Sequence, residues 1–425
     1  MAVTYSNGGE GERRRRAVVT GIGVITPNGL SIKTFWDNVR GGHSAAAPIS
    51  RFDASKLPVR IAAEVKGFSL GDYIKDVKEK RLERTVQYAL GAGASAIRDS
   101  GLDLSLVEPD RAGVVEGTTL SGTASAIKSY HTYMTEKSMR SLHPYNLVGS
   151  YCGEGSSSIS LYLGVNGPVM SYCSGCASGN DAIGYGAKMI QQDELDVVIA
   201  GGSDEIIEIQ HLGLCKLRSM SEQNDTPRQA MRPFDRDRDG FLLGEGSAFI
   251  VIEEMSHALA RGAKIYAEIM GHGRTAEAHH PTDPHPDGIG YKSAMRRAFR
   301  HARMHPEEID YINAHGSATP KNDPIETKAI KEVFGSHARR LGVSGTKAIT
   351  GHMMGASGAV ESVITILAVA NQEMPPTINL ENPEEGCDLD YVTESRPYPI
   401  RAAVNLNAGF GGRYACLIFK PFHPS

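Results

Sequence analysis

The sequence predicts an α/β protein whose central sheets are largely buried. Two observations carry this: short β-branched runs recur along the chain, each closed by glycine or a turn, and helix-period segments lie between several of them. The 47 glycines fit the same reading, because several cluster directly after apolar runs, where tight strand exits need them.

The elements follow in order. Arg13 to Arg16 precede the apolar run from Ala17 to Ile25, which imitates the basic and apolar parts of a secretory signal. Gly21 and Gly23 interrupt that run, Pro27 closes it, and no clean small-residue cleavage site follows. It reads as a first strand behind a polar, Gly-rich tail, residues 1–15, expected to be disordered. Further strands are expected at 112–116, 169–172, 197–200 and 248–253, then at 265–271, 309–314, 343–344, 402–406 and 416–419. Ile183, Ala187 and Ile190 share one face of a helix beginning near Cys176, and Val360, Ile364, Leu367 and Ala368 do the same after Gly358. The polar, helix-patterned segment 255–263 is a seam, dividing the chain into 16–258 and 259–425. No internal duplication is legible in the letters.

Composition bounds the function. A net charge of −4 excludes a molecule-wide electrostatic nucleic-acid binder. No apolar run approaches the roughly 18 to 20 residues that cross a bilayer, so no membrane partner is expected. Six cysteines in 425 residues make no disulfide scaffold, and a reduced, cytoplasmic setting is expected. Cys173 and Cys176 form a C-x-x-C that invites a zinc site or a redox pair. Zinc needs further ligands at metal spacing, and no second C-x-x-C or H-x-x-x-H occurs, so no metal is expected.

Four segments carry chemistry. In the first, an apolar strand from Val169 runs into small residues around Cys176 and then a helix. A thiol there feels the helix dipole and free N–H groups, which favour thiolate, while its own N–H could stabilise an oxyanion. The second delivers His315 to a turn at a strand's end, with Ser317 and Thr319 nearby; Asp323 and Glu326 then start a helix, where carboxylates suit the dipole. The third sets His352 among Gly351, Gly355 and Gly358, with Lys347 and Glu361 able to pair and orient that histidine. The fourth is a strand running through Ala408 into Gly409, Phe410 and Gly412, either a second N–H for the site or a tight turn.

Together these segments resemble the β-ketoacyl-acyl-carrier-protein synthases of the thiolase fold, particularly the elongating type II enzymes, from about Arg16 to Lys420. Supporting landmarks are Gly21-Ile-Gly-Val-Ile-Thr-Pro27, Arg232-Pro-Phe-Asp235, Asp239-Gly-Phe-Leu-Leu-Gly-Glu-Gly246 and Pro375-Pro-Thr-Ile-Asn-Leu380. The resemblance implies two similar α/β halves in an α-β-α-β-α layering. It implies that Cys176 takes an acyl group from a carrier-protein thioester, with the N–H groups of Cys176 and Phe410 as oxyanion hole. His315 and His352 would promote decarboxylation of carrier-bound malonyl, Lys347 and Glu361 would organise the second histidine, and Ser317 and Thr319 would contact the phosphopantetheine arm. His280 and Thr282 lie on a loop similar to one lining the family's entrance. The pantetheine arm arrives on the acyl carrier protein, so no diffusible cofactor is expected.

Departures bear on the pathway. Fatty-acid enzymes typically carry phenylalanine before the glycine at 409, where this chain has Ala408, and a different pair after His-Gly, where it has Ser317 and Ala318. Both places resemble type II polyketide ketosynthases more closely, so a polyketide or polyene pathway is expected, with fatty-acid elongation as the alternative. Such ketosynthases pair with a chain-length factor whose cysteine is replaced; Cys176 places this chain on the catalytic side, in a homodimer or such a heterodimer. Acidic carrier proteins call for a basic docking face, for which Lys78, Lys80, Arg81 and Arg84, or Lys137 and Arg140, are candidates.

Overall fold

A computed structural model describes residues 15–422. The expected tail lies outside the described residues except for Arg15, which is tied down rather than loose: its guanidinium pairs with Asp193 and Asp196. Arg16 likewise donates to Glu268 at 2.7 Å.

Ten strands form the frame: β1 (Ala17–Ile25), β2 (Ala112–Gly117), β3 (Val169–Tyr172), β4 (Val197–Asp204), β5 (Gly246–Glu254), β6 (Ala267–Ala276), β7 (Tyr311–Asn313), β8 (Gly342–Ser344), β9 (Ala403–Gly409) and β10 (Arg413–Lys420). Each strand expected from the sequence is present, several of them longer by a few residues. The first half has the order β1-β5-β4-β2-β3 and the second β6-β10-β9-β7-β8, with Asp390–Tyr391 added at the far edge. Adding five to each label converts one order into the other. The directions match as well: two antiparallel pairs, then two parallel ones, in both halves. The halves join where Ala17–Val19 pairs with Ala267–Ile269.

Helices complete the layers, among them α1 (Arg84–Ser100), α2 (Thr123–Glu136), α3 (Glu154–Leu163), α4 (Ser178–Gln191), α5 (Ile289–Ala302), α6 (Asn322–Phe334) and α7 (Ser357–Asn371), with a further helix at Glu208–Leu217. Helix α1 covers the outside of the first sheet and α5 the outside of the second, while α4 and α7 touch each other and strands of both sheets. This is the α-β-α-β-α layering. Glycine makes the layers close: a Cβ on Gly21 or Gly23 would stand 2.2 or 1.9 Å from the carbonyls of Ala96 or Ala92 on α1. In the second half, Gly271 and Gly273 meet Ala298 and Ala294 of α5 in the same way, at 2.4 and 2.0 Å.

The central pair matters most. A Cβ on Gly179 would lie 2.3 Å from the Ala359 nitrogen, and one on Gly358 would lie 2.6 Å from the Asn180 nitrogen. The two helix starts therefore touch backbone to backbone. Asn180, Ser362 and Asn405 tie the crossing, with Asn405 donating to Asn180 at 2.8 Å and to Ser362 at 2.9 Å. The helical stretch Met354–Asn371 is long enough and apolar enough on average to cross a membrane, but it is interrupted by Ser357, Glu361, Ser362 and Thr365 and 89% of it is buried inside the protein, as in a core helix.

Gly179→Ala should lower stability by about 1–3 kcal/mol, because backbone faces the added methyl. Gly213→Ala is the control: it lies mid-helix with nothing within 4 Å, and should be neutral or slightly stabilising. Urea midpoints of the two variants decide; equal midpoints would contradict the tight crossing.

Candidate active site

The two central helix starts are built alike. A 3-10 turn, Gly175–Ala177, precedes α4, and another, Met354–Ala356, precedes α7. Cys176 sits in the first, buried. Gly175 has φ +65°, open to glycine without strain. Gly409 presses against this turn: a Cβ there would stand 2.7 Å from the Ser174 carbonyl and 2.9 Å from the Cys176 nitrogen. The end of β9 thus carries the Phe410 N–H to the nucleophile turn.

His315 follows β7. Glu326 accepts the His315 N–H at 2.6 Å and the Gly316 N–H at 2.9 Å, so this fully buried carboxylate is a clamp rather than a simple helix-start residue. Lys347 donates to the His315 carbonyl at 2.6 Å and to Glu361 at 2.5 Å. The pair was expected to orient His352; it is His315 that it holds. His352 has other supports: its Nδ1 lies 2.8 Å from Ser357 Oγ, accepts the Met354 N–H at 3.3 Å, and its ring meets the edge of Phe241 at 5.0 Å. The two imidazoles stand 5.5 Å apart, nearly perpendicular.

Their protonation follows from these bonds. The Nδ1 of His315 accepts the Ala408 N–H at 3.2 Å, as that of His352 accepts Met354. A neutral ring with an accepting Nδ1 carries its proton on Nε2. Burial, and then the nearby Lys347 cation, hold both histidines well below their ordinary range; Lys347 is the larger neighbouring charge on His315 and His352 the smaller. Two neutral Nε2–H donors result.

Cys176, His315 and His352 line one pocket with Ser317, Thr319, Thr282, Ala408 and Phe410. The Ser317 and Thr319 hydroxyls are 3.0 Å apart. His280 is not in the lining: it is exposed, and its Nδ1 accepts the N–H of Thr282 at 3.2 Å and of Asp283 at 3.0 Å, shaping the loop that presents Thr282. A second, more apolar groove of about 570 Å³ opens on the other side of Cys176, lined by Thr119, Leu120, Leu214, Met354 and Phe410 among others. Cys176, Met354 and Phe410 line both spaces.

The thiol overturns one expectation. Burial pushes Cys176 up to about 12; Lys347 lowers it, and Asp204 and Glu361 raise it. Desolvation of the sulfur is the largest influence and exceeds the opposing pull of Lys347, so burial disfavours the thiolate. Cys173 and Cys176 are both free thiols; Cys173 Sγ donates to the Thr119 carbonyl at 3.6 Å, and the neighbouring Cys152 thiol holds Cys173 below the ordinary thiol range. Among the described residues no group of three or more His, Cys, Asp or Glu is placed to hold a metal ion.

Of the basic candidates, Lys78, Lys80, Arg81, Lys137 and Arg140 are exposed. Arg84 is half-buried at the start of α1, its guanidinium carbon 5.9 Å from the Tyr88 ring. Lys80, Arg81 and Arg84 share a cleft with Lys128 and His143. Sequence reasoning missed the clamp by Glu326 and the support from Ser357; the repeated Ala-Ser-Gly at 177–179 and 356–358 was the available signal for the second.

Residues 14–258 match the family model for the β-ketoacyl synthase N-terminal domain, and residues 266–381 that for its C-terminal domain. The chain belongs to the β-ketoacyl synthase family. It is therefore a condensing acyltransferase. It is 41% identical to 3-oxoacyl-[acyl-carrier-protein] synthase 2 of Coxiella burnetii, over 96% of this chain and 99% of that one. The corresponding Synechocystis enzyme is 39% identical over the same shares. Among solved structures, the ishigamide ketosynthase/chain length factor superposes with a TM-score of 0.90 at 32% identity, covering 97% of this chain and all of that one. A β-ketoacyl synthase from Burkholderia phymatum gives 0.89, also at 32%, covering 96% and 100%.

If the thiol rests near 12, alkylation of Cys176 by iodoacetamide should climb about tenfold per pH unit from pH 7 to 9, because only thiolate reacts. Malonyl-carrier decarboxylation should stay flat from pH 8 down to 6, since the lowered histidines remain neutral there. An alkylation plateau below pH 8 would contradict the buried-thiol assignment.

Proposed function

We propose that this chain is the catalytic ketosynthase of a type II polyketide or polyene pathway, condensing malonyl-carrier protein with an acyl chain held on Cys176. The observation that carries the reading is that Cys176 lines a single pocket with two imidazoles, each of which uses its Nδ1 to accept a backbone N–H. Cys176 attacks the acyl-carrier thioester, the oxyanion rests on the N–H groups of Cys176 and Phe410, and the pantetheine thiol leaves with the proton. Malonyl-carrier then enters past Thr282, Ser317 and Thr319. His315 and His352 donate to its thioester oxygen, carbon dioxide departs, and the enolate carbon attacks the acyl carbonyl. Cys176 is released as the β-ketoacyl thioester, two carbons longer, leaves on the carrier.

Ala408 supports the polyketide reading: half-buried in the pocket lining, it puts only a methyl group there, two residues before Phe410, which also lines the apolar groove. The 41% identity to a 3-oxoacyl-[acyl-carrier-protein] synthase 2 favours fatty-acid elongation as the second reading. A cytoplasmic setting goes with either.

An exposed apolar band supports assembly as a dimer, with a second copy or a chain-length factor. Met139 is 74% exposed, Leu161 84% and Leu147 68%, and β3 beside them is the unpaired edge of the sheet. Lys80 and Arg81, exposed beside the same region, suit an acidic carrier protein.

Incubation with acyl- and malonyl-loaded carrier, alone and with candidate partner subunits, should give β-ketoacyl carrier by mass spectrometry. No condensation under any pairing would overturn the reading. Ala408→Phe should shorten products or slow elongation, and unchanged lengths and rates would favour the fatty-acid alternative. Lys80→Glu with Arg81→Glu should raise the carrier KM about tenfold with kcat nearly unchanged; an unchanged KM removes this face from carrier docking.

A further inference from the structure

The nucleophile turn is held from behind by a chain of polar groups that none of the catalytic steps above uses. Ser174 stands two residues before Cys176, and its hydroxyl donates to Asp181 Oδ2 at 2.6 Å. Asp181 lies on the first turn of α4 and is 6% exposed. Its other oxygen, Oδ1, is 3.1 Å from the Nε2 of His272, which sits on β6 in the second half of the molecule. A carboxylate only accepts, so that imidazole nitrogen is the donor. His272 is packed without slack: a Cβ on Gly184 of α4 would stand 2.3 Å from its ring. Its backbone N–H is bound in turn by His301 Nδ1 at 3.0 Å.

We propose that Ser174, Asp181 and His272 act as positioning residues that set the spacing of the oxyanion hole. The physical route is short. Ser178 Oγ accepts the Ser174 N–H at 2.9 Å and donates to the Gly175 carbonyl at 2.6 Å, so the entry to the turn is fixed to α4. The Ser174 carbonyl and the Cys176 nitrogen are the atoms nearest to where a Cβ on Gly409 would stand, and its neighbour Phe410 supplies the other N–H. A rotation of Ser174 therefore moves the Cys176 N–H relative to the Phe410 N–H. Asp181 prevents that rotation, and His272 prevents Asp181 from turning toward the helix. The device acts on tetrahedral intermediates at Cys176 and leaves alone the two Nε2–H donors, whose supports are Ala408, Met354 and Ser357.

The inference rests on Cys176 being the acylated nucleophile, and the experiment separates the two. Wild-type protein is first loaded with acyl-carrier, and formation of acyl-Cys176 is timed by mass spectrometry; no loading at all is a failure of the proposed function, not of this device. Ser174→Ala and Asp181→Asn should then slow acylation about 10- to 100-fold, the loss of one hydrogen bond to a charged group. Malonyl-carrier decarboxylation by the same variants should stay within about twofold. Ser174→Thr, which keeps the hydroxyl, should recover most of the acylation rate, and His272→Gln, which keeps a donor, should be milder than His272→Leu. Acylation at the wild-type rate in Ser174→Ala overturns the proposal. So does equal loss of acylation and decarboxylation with a lowered melting temperature, which would mark a merely structural role. If Asp181→Asn does not fold, the comparison of Ser174→Ala with Ser174→Thr still decides.

Discussion

The structure depends on the contact of two helix starts at Gly179 and Gly358. Neither glycine could carry a side chain without pushing into the other helix's backbone. Because α4 and α7 meet there, the 3-10 turns that precede them face the same space, one bearing Cys176 and the other following His352. The duplicated sheets then converge on that space from both sides: β9 delivers Phe410, β7 delivers His315, and the segment beside Leu242 and Leu243 holds the backbone of His352. A displacement of the crossing would shift all four groups together. The asparagines and serine tied across it show the chain satisfying buried polar atoms at the place where apolar packing has no room.

Charge inside this site is arranged by scarcity. Lys347 is a fully buried cation close to the reacting groups, paired with Glu361 and bonded to the His315 carbonyl. Burial already disfavours imidazolium, and the lysine adds to that, so both rings stay neutral donors. The same cation favours a thiolate, yet desolvation of the sulfur is larger and Asp204 and Glu361 oppose it. In the proposed reaction the thiol would give up its proton as it attacks, when charge moves onto the substrate oxygen. Preorganised N–H groups at that oxygen are what such a nucleophile needs most.

Strand positions were legible because each β-branched run ends in a turn, and the catalytic histidines because glycine follows or surrounds them. The internal duplication was less legible, since it survives in only a few residues. Gly21-Ile-Gly23 and Gly271-His-Gly273 both bring a helix down on a first strand, and Ala-Ser-Gly opens both central helices. These repeats have meaning only once packing shows why alanine or glycine is required there. Lys347 was found but assigned to the wrong histidine: it is close in sequence to His352, whereas the carbonyl it reaches is brought near by the parallel pairing of β7 with β8. Glu326 looked like an ordinary helix-start acid for a related reason, because its partners lie ten or more residues earlier in a turn. The exposed basic face was readable as composition, but the packing of Arg84 against Tyr88 was not.

The duplication also explains why the catalytic labour is divided unequally. Cys176-Ala-Ser-Gly179 and Gly355-Ala-Ser-Gly358 are equivalent openings of equivalent helices, so the second half presents glycine where the first presents the nucleophile. That glycine could not be a second cysteine: a Cβ on it would stand 2.6 Å from the backbone of Thr118 and 2.8 Å from the Asp204 carboxylate, which accepts its N–H at 2.7 Å. Asp204 also takes the N–H of Thr119 at 3.1 Å and its hydroxyl at 2.6 Å, fixing one wall of the apolar groove to the loop behind His352. Where the first half presents the Cys176 side chain, the second has a rigid backbone contact. Its serine, Ser357, serves the ring of His352, while the matching Ser178 serves the backbone around Cys176. In the proposed reaction the first unit would carry the acyl group and the second would hold the groups that act on the incoming malonyl.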